Sequence, residues 1–318
     1  MEYTHLRNIL KGELILDHKL AGVYAAAITP MQTDYSPDVD ALPGFLEYLE
    51  TRGCRGALLL GTTGEGPSFS FDERIAILRA ACKYKQLNPQ FRLLAGTGTP
   101  SLTETIDITQ AAFSLGCDGV VVLPPYYYRN VNEQGLFTWF SEVLNKAVPP
   151  EGFLLGYHIP PVTGIHFSLD LLARLKEAFP VKFAGIKDSS GDAIFAKALG
   201  ERFGRELLVL TGNDRLFKLA LDSCAGGCIT ALANLYSPLL RNIWDETQRS
   251  GSPVQTQLQI NLLRTILESY SPYPPILKAL LSQQQDFPLW AVRPPLLPVT
   301  EEIMDKAVRE FSNGTKNN

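Results

Sequence analysis

A regular alternation of short apolar runs with longer helical patterns occupies most of this chain of 318 residues. The apolar runs are continuous rather than alternating, which is typical of strands covered on both faces. They fall at residues 22–28, 56–60, 92–95, 119–123, 153–157, 183–186, 207–210 and 225–230. Eight such βα units in roughly 230 residues match the size of an α/β fold closed into a (β/α)8 TIM barrel. A doubly wound open sheet is the alternative, but it does not require eight units of this regularity.

The helical patterns follow the strands near residues 38–51, 72–86, 101–115, 132–146, 168–178, 193–202, 213–222 and 236–249. We assign an N-terminal lead, amphipathic at about residues 4–18, to residues 1–20, the barrel to residues 21–250 and a C-terminal helical extension to residues 251–318. The extension has helical patterns around residues 255–269, 275–283 and 300–311, separated by proline-rich turns at residues 271–275 and 293–295. We expect a helical appendage rather than a second catalytic domain.

The charge of the chain limits the classes of partner. The formal net charge is -4 and the isoelectric point is near 5.7. A chain without a basic field or a run of like charges does not attract a nucleic-acid backbone or an anionic membrane. Residues 1–20 carry charges every few positions and lack the continuous apolar core of a signal peptide or membrane span. We expect a cytoplasmic protein whose partner is a small molecule or another protein.

Cysteine and histidine spacing argues against a disulfide framework and against a zinc site. The five cysteines include no Cys-x-x-Cys pair, and the four histidines include no His-x-x-x-His pair. Cys224 and Cys228 flank three small residues, and we interpret them as packing residues. No metal is therefore predicted.

The residues directly after each strand of such a barrel form its catalytic face. Residues 61–66, Gly-Thr-Thr-Gly-Glu-Gly, follow the second strand with a spacing that fits neither a dinucleotide motif nor a P-loop. These glycines let the backbone approach a ligand, and backbone N–H groups with the Thr62 and Thr63 hydroxyls can hold a carboxylate. Residues 124–129, Pro-Pro-Tyr-Tyr-Tyr-Arg, follow the fourth strand, where packing at the rim is the alternative role for the tyrosines.

The sixth apolar run ends abruptly on Lys187, and a polar turn follows it. A lysine that attacks a carbonyl carbon must be neutral, and burial at the mouth of an apolar barrel disfavours the ammonium form. A phenol near the resulting imine can supply proton transfer as general acid and base. The alternative is a lysine that only ends a strand and points to solvent.

Four segments carry a family resemblance. GTTGEG, PPYYY, YHIPPVTG and GIKDSSGD stand in that order, each at the end of a predicted strand. Together they resemble the dihydrodipicolinate synthase/N-acetylneuraminate lyase family of class I, Schiff-base pyruvate aldolases. The resemblance runs from about residue 22 through residues 212–214 and 226–234 to residues 274–278. It therefore covers the chain except for its first twenty residues and its extreme C-terminus.

The resemblance implies a chemistry for the predicted face. Lys187 would form a Schiff base with pyruvate, and the protonated imine would be the electron sink for making or breaking a C–C bond. Tyr157 would be the general acid and base, with Thr62 relaying protons between Tyr157 and Tyr127. In the family, the residue that matches Tyr127 reaches into the neighbouring subunit's site, which implies a homodimer, commonly paired into a homotetramer. No metal or diffusible cofactor is implied.

The resemblance also implies how the substrate is held. It assigns the pyruvate carboxylate to the turn of Thr62 and Thr63. It assigns the region near the imine to the Ile229 carbonyl. Further substrate contacts are expected from Gly212, Val162 and Thr163.

One position departs from the synthases of this family. They carry an arginine five residues after the catalytic tyrosine, where it holds the carboxylate of aspartate semialdehyde; this chain has Val162 there. An apolar side chain cannot replace a bidentate guanidinium. We therefore expect a 2-keto acid with a hydroxylated tail, such as a 2-keto-3-deoxy sugar acid, whose hydroxyls contact Thr163 or His158. The alternative is a dihydrodipicolinate synthase in which Arg129 supplies the missing charge.

A hypothesis from another class is a catalytically silent relative that binds a keto acid as a sensor or scaffold. Such a protein has no need of a nucleophile, a phenol and a proton relay together. Retention of all four residues therefore favours an enzyme, namely Lys187, Tyr157, Thr62 and Tyr127.

Overall fold

Eight parallel strands close into a barrel in the computed structural model, which describes residues 18–316. The strands follow one another around the barrel in chain order, and the last pairs with the first. They are β1 (Gly22–Ala26), β2 (Gly56–Leu59), β3 (Arg92–Gly96), β4 (Gly119–Val122), β5 (Phe153–His158), β6 (Phe183–Asp188), β7 (Leu208–Thr211) and β8 (Gly227–Thr230). The predicted TIM barrel is confirmed. Most of the predicted N-terminal lead, residues 1–17, lies outside the described residues.

Helices alternate with the strands and continue past the last one. They are α1 (Leu42–Thr51), α2 (Phe71–Leu87), α3 (Leu102–Leu115), α4 (Glu133–Ala147), the short α5 (Pro160–Thr163), α6 (Leu169–Ala178), α7 (Ala193–Phe203), α8 (Phe217–Asp222), α9 (Ala233–Gln248), α10 (Val254–Glu268), α11 (Tyr273–Gln285) and α12 (Glu301–Lys316). Five of these helices begin after a side chain that caps their first turn, namely Ser70, Ser101, Asn132, Ser168 and Asp192. Because such caps are local signals, the predicted starts of these helices lie within one residue of the observed starts.

Four predicted helices have clearly different bounds in the structure, and one of them, α12, ends at Lys316 rather than at residue 311. Helix α1 begins at Leu42 rather than at residue 38, with a proline in its first turn. Helix α9 begins at Ala233, before the predicted start at residue 236, because a kink at Tyr236 allows a helical turn to precede Pro238. The segment predicted as one helix at residues 213–222 is a 3-10 turn, Asp214–Leu216, followed by α8.

The barrel encloses an apolar cluster that is separate from the larger cluster between strands and helices. Successive side chains of a strand point to opposite faces of the sheet. Tyr157 belongs to the inner cluster, and the register of β5 and β6 places Lys187 beside it. The next registered pair, His158 and Asp188, faces the helix layer, where His158 contacts the ring of Phe195. Strand alternation therefore separates two polar pairs that are adjacent in sequence.

The C-terminal helices are docked on the catalytic face of the barrel. Lys278 in α11 donates a hydrogen bond of 2.7 Å to Glu65, which belongs to the loop after β2. Gln257 in α10 donates one of 2.9 Å to the carbonyl of Asp214, which follows β7. The predicted helical extension is therefore present, and it covers loops that carry predicted site residues.

Some features are absent from residues 18–316. No helix there combines the length and the apolar character that a bilayer span requires. No group of three or more His, Cys, Asp or Glu side chains is arranged there to hold a metal ion. The five cysteines are free thiols; Cys228 is buried and Cys224 is half-buried.

Candidate active site

Lys187 and Tyr157 meet inside the mouth of the barrel. The ammonium nitrogen of Lys187 lies 3.9 Å from the centroid of the Tyr157 ring. Only 3% of Lys187 and 4% of Tyr157 is exposed. Lys187 therefore does not point to solvent, which was the alternative considered from the sequence. No carboxylate among residues 18–316 forms an ion pair with Lys187, and its side chain hydrogen-bonds to the phenol of Tyr157.

The phenol of Tyr157 is tuned by its neighbours. Burial by itself raises the pKa of Tyr157, but the charge of Lys187 and hydrogen bonds to Lys187, Thr62 and Ser189 outweigh it, so the pKa lies below its ordinary value. Thr62 Oγ1 lies 3.3 Å from the Tyr157 hydroxyl oxygen. A phenol hydrogen-bonded to an amine has the geometry to exchange a proton with it.

The loop that carries Thr62 and Thr63 is anchored by the C-terminal segment. Glu65 adopts left-handed backbone angles, with φ of 54°, and its carboxylate is fully engaged by the C-terminal segment. Lys278 donates to Oε1 at 2.7 Å, and the backbone N–H of Arg293 donates to Oε2 at 3.0 Å. Thr63 is buried, 8% exposed. These contacts fix the turn that the sequence predicted as the carboxylate site.

A cavity of about 520 Å³ opens above this pair and contains most of the predicted site residues. Those lining it are Lys187, Tyr157, Thr62, Thr63, Ile229, Gly212 and Val162. Gly212 is required at its position, because a Cβ there would lie 1.9 Å from Ser189 Oγ. The structure thus brings seven residues, predicted from five different segments, to one cavity.

Two predicted residues lie elsewhere. Tyr127 is 75% exposed, packs edge-on against Tyr128 at 5.2 Å and does not line the cavity. Thr163 is fully buried, and its hydroxyl oxygen lies 3.2 Å from the carbonyl oxygens of both Ile159 and Ile165, which are the acceptors available to its single proton. The Thr163 hydroxyl is therefore occupied by the backbone of the α5 turn.

Arg129 and His158, the other two polar side chains expected to contact the substrate tail, also lie outside the cavity. Arg129 is exposed on the rim beside Gly164 and does not line it. His158 Nδ1 lies 3.2 Å from Asp188 Oδ1, on the side of the strands that faces the helices. His158 lines a second cavity, of about 550 Å³, together with Phe195. His158 is therefore not placed to contact an aldehyde beside Lys187.

One wall of the cavity consists of residues that the sequence did not predict as site residues. Arg264 from α10 and Tyr273 at the start of α11 line it, as do Ser189, Ser190 and Asn213 from the barrel loops. One signal for Arg264 was present: it falls on the same helix face as the buried residues Ile260, Leu263 and Leu267. A cation on the core-facing side of an amphipathic helix requires a buried partner.

Known proteins of one family resemble this chain in sequence and fold. A model of the dihydrodipicolinate synthetase family matches residues 19–313. A protein of Chloroflexus aurantiacus named as an uncharacterized DapA-like lyase is 37% identical over 282 residues, which cover 88% of this chain and 92% of the relative. The crystal structure of dihydrodipicolinate synthase from Agrobacterium tumefaciens superimposes with a TM-score of 0.82 at 30% identity, covering 92% of this chain and 98% of the other.

A third relative shares the fold. YagE, a prophage protein of Escherichia coli K12 solved in complex with pyruvate, has a TM-score of 0.87 at 22% identity. The match covers 93% of this chain and 99% of YagE. The family model spans almost all of the described residues. This chain therefore belongs to the dihydrodipicolinate synthetase family and is a lyase of that family.

Proposed function

We propose that the protein is a pyruvate-dependent class I aldolase, a carbon–carbon lyase that forms a Schiff base on Lys187. The observation that carries the proposal is the environment of this amine. It is buried, it has no carboxylate partner among the described residues, and it lies 3.9 Å from the ring of Tyr157. The phenol beside it can accept the proton that the amine must lose before it attacks a carbonyl carbon.

The proposed cleavage begins when the neutral amine of Lys187 adds to the keto carbon of a 4-hydroxy-2-keto acid. Loss of water, with a proton donated by the Tyr157 phenol, leaves a protonated imine and the Tyr157 phenolate. The Tyr157 phenolate then takes the proton of the 4-hydroxyl, the bond between carbons 3 and 4 breaks, and its electron pair forms the enamine. The aldehyde leaves, Tyr157 returns the proton to carbon 3, and water hydrolyses the imine to release pyruvate. The reverse sequence gives condensation.

The pyruvate part of the substrate is assigned to the pair of threonines. The Thr62–Thr63 turn, anchored through Glu65, offers hydroxyl and backbone N–H groups to a carboxylate. Ile229 and Gly212 line the same cavity from β8 and from the loop after β7. The imine supplies the electron sink, so the proposed reaction needs no metal and no diffusible cofactor.

The proposed substrate class is a 2-keto-3-deoxy sugar acid or a similar acid with a neutral, hydroxylated tail. Val162 lines the cavity where the family resemblance expects a synthase arginine, and Arg129 does not reach the cavity. A desolvated tail carboxylate would lack charge-assisted hydrogen bonds from either position. The second candidate is 4-hydroxy-tetrahydrodipicolinate synthase, which is favoured by the name of the Agrobacterium relative at 30% identity.

We also propose a homodimer or homotetramer in the cytoplasm. Tyr127 and Tyr128 form an exposed aromatic pair at the rim, with 75% and 71% of their surfaces exposed. Aromatic residues are enriched at subunit interfaces. In this arrangement Tyr127 would reach the Thr62 of a neighbouring subunit and complete the proton relay. Mass measurement in solution with the wild type and Tyr127→Ser tests the assembly.

Two assays test the activity. Borohydride reduction in the presence of pyruvate is expected to leave a stable adduct on Lys187, and an adduct on another lysine would refute the assignment. The value of kcat/KM for glyceraldehyde and for aspartate semialdehyde, each with pyruvate, then separates the two candidates. We expect aspartate semialdehyde to be used at least ~10-fold less well, since a charge-assisted hydrogen bond contributes ~1.5–3 kcal/mol. Val162→Arg should narrow that gap.

A further inference from the structure

We infer that Tyr273, held by Arg264, is a specificity-determining hydrogen-bond donor that recognises an uncharged oxygen on the substrate's tail. This inference rests on the proposed function and narrows its substrate class. Tyr273 and Arg264 come from the C-terminal helices, outside the barrel loops that carry Lys187 and the two threonines. Both line the cavity of about 520 Å³ that contains Lys187.

The direction of the hydrogen bond between these residues is fixed by chemistry. The guanidinium Nη2 of Arg264 lies 3.1 Å from the Tyr273 hydroxyl oxygen. A guanidinium only donates, so the phenol oxygen must accept, and the phenol proton remains available to another acceptor. Between residues 18 and 316 the Tyr273 hydroxyl has no second hydrogen-bond partner. Tyr273 therefore presents a donor without an acceptor at the wall of the cavity.

Arg264 is itself held in one orientation. Its Nη1 lies 2.7 Å from Asp214 Oδ2, and its Nε lies 2.9 Å from Glu268 Oε1. Asp214 is fully buried, and Gln257 of the same helix donates to its backbone carbonyl. Three directed contacts leave the guanidinium little freedom, so the acceptor side of the Tyr273 hydroxyl is fixed in advance of binding.

The charge of this wall selects a neutral tail. Arg264 is balanced by Asp214, and Arg215 lies 2.6 Å from Glu268, so two cations face two carboxylates. Asp214 and Glu268 do not line the cavity, but they engage Nη1 and Nε of Arg264. A tail carboxylate would therefore meet a guanidinium whose charge is already compensated, and it would lose its hydration without gaining a free cation. A hydroxyl oxygen accepts the Tyr273 proton at a smaller cost of desolvation.

The cavity has room for such a tail beyond the pyruvate part. Its volume of about 520 Å³ falls within the range of pockets that enclose ligands much larger than a three-carbon acid. Lys187, Thr62 and Thr63 are assigned to the pyruvate part in the proposed function. The donor of Tyr273 is therefore left for the other end of the substrate.

The test compares two acids that differ only in tail hydroxyls, 4,5,6-trihydroxy-2-oxohexanoate and 4-hydroxy-2-oxohexanoate. We expect Tyr273→Phe to lower kcat/KM for the trihydroxy acid by about 3- to 10-fold, the loss of one neutral hydrogen bond. The value for the monohydroxy acid should change by less than about 2-fold. Tyr270→Phe is the matched control, because the Tyr270 hydroxyl donates to Glu310 and does not line the cavity.

Three results separate the two proposals. An equal loss for both acids, or no loss for either, overturns the role of Tyr273 while a borohydride adduct on Lys187 leaves the aldolase intact. Absence of the adduct overturns the aldolase instead. In that case, calorimetric dissociation constants of the two acids for the wild type and Tyr273→Phe still test the inference. The inference about Tyr273 fails if the ratio of the two dissociation constants is the same for Tyr273→Phe as for the wild type.

Discussion

Two lysines are buried on the catalytic face, and their surroundings differ in one respect. Lys278 is fully buried and donates to Glu65 at 2.7 Å and to the Ala291 carbonyl at 2.6 Å. Lys187 is equally well buried but faces a phenol instead of a carboxylate. A carboxylate pairs with the ammonium in a structural ion pair, whereas a phenol can exchange a proton with the amine.

Burial disfavours the charged form of a lysine. Burial lowers the pKa of Lys278 to about 8, although the charge and the hydrogen bond of Glu65 oppose that change. At the other site the lysine acts on its neighbour: the charge of Lys187 helps to lower the pKa of Tyr157. One lysine therefore serves the loop that it anchors, and the other serves the acid–base group beside it. Four substitutions test this difference between the two lysines.

The largest effect is expected for Lys187→Arg. A guanidinium stays protonated and cannot form the imine, so turnover should fall by at least about 10⁴-fold. The readouts are pyruvate release and mass spectrometry after borohydride treatment. Lys197→Arg, at an exposed position on α7, is the control and should behave as the wild type. Near-normal turnover of Lys187→Arg would contradict the chemical role of this lysine.

Tyr157→Phe comes next. It should lower kcat by about 10²–10⁴-fold, because general acid–base groups contribute that much. The ring still packs, so pyruvate binding should persist. The chain offers a close control in Tyr24→Phe. Tyr24 belongs to the same inner cluster and is fully buried, and its hydroxyl has no hydrogen-bond partner within residues 18–316. Equal losses for the two variants would mean that the effect arises from packing.

Lys278→Met tests the structural lysine. It leaves the Glu65 carboxylate buried without its cation, which costs about 3–5 kcal/mol of the free energy of unfolding. Denaturant unfolding followed by circular dichroism measures the loss. The double variant Glu65→Gln with Lys278→Met should recover part of it, since no uncompensated charge remains. If the double variant is no more stable than Lys278→Met, the pair does not act as proposed.

The smallest effect is a shift in titration. In Lys187→Met the ammonium charge is gone while the burial of Tyr157 remains, so the pKa of Tyr157 should rise above its value in the wild type. Carbon-13 labelling of the tyrosine ring and a pH titration by NMR measure the change. Tyr157→Phe identifies the resonance. An unchanged or lower pKa would mean that Lys187 does not tune the phenol.

Several residues show how far the sequence could predict the site. Lys187 at the end of an apolar strand and Thr62 and Thr63 in a glycine-rich turn are local patterns, and the family resemblance supplies their roles. Thr163 was expected in the cavity from its place in the same loop as Val162. The α5 turn instead uses the Thr163 hydroxyl for its own carbonyls, and a one-residue difference on a helical turn separates the two side chains.

The sequence by itself determined the alternation of strands and helices, most helix starts and the order of the loops on the catalytic face. These features depend on periodicity and caps, which act over a few residues. Only the tertiary structure decided that Arg264 and Tyr273 line the cavity and that Lys278 binds Glu65, a residue 213 positions away. Contacts between distant segments depend on how the C-terminal helices dock on the barrel, and no local pattern encodes that geometry.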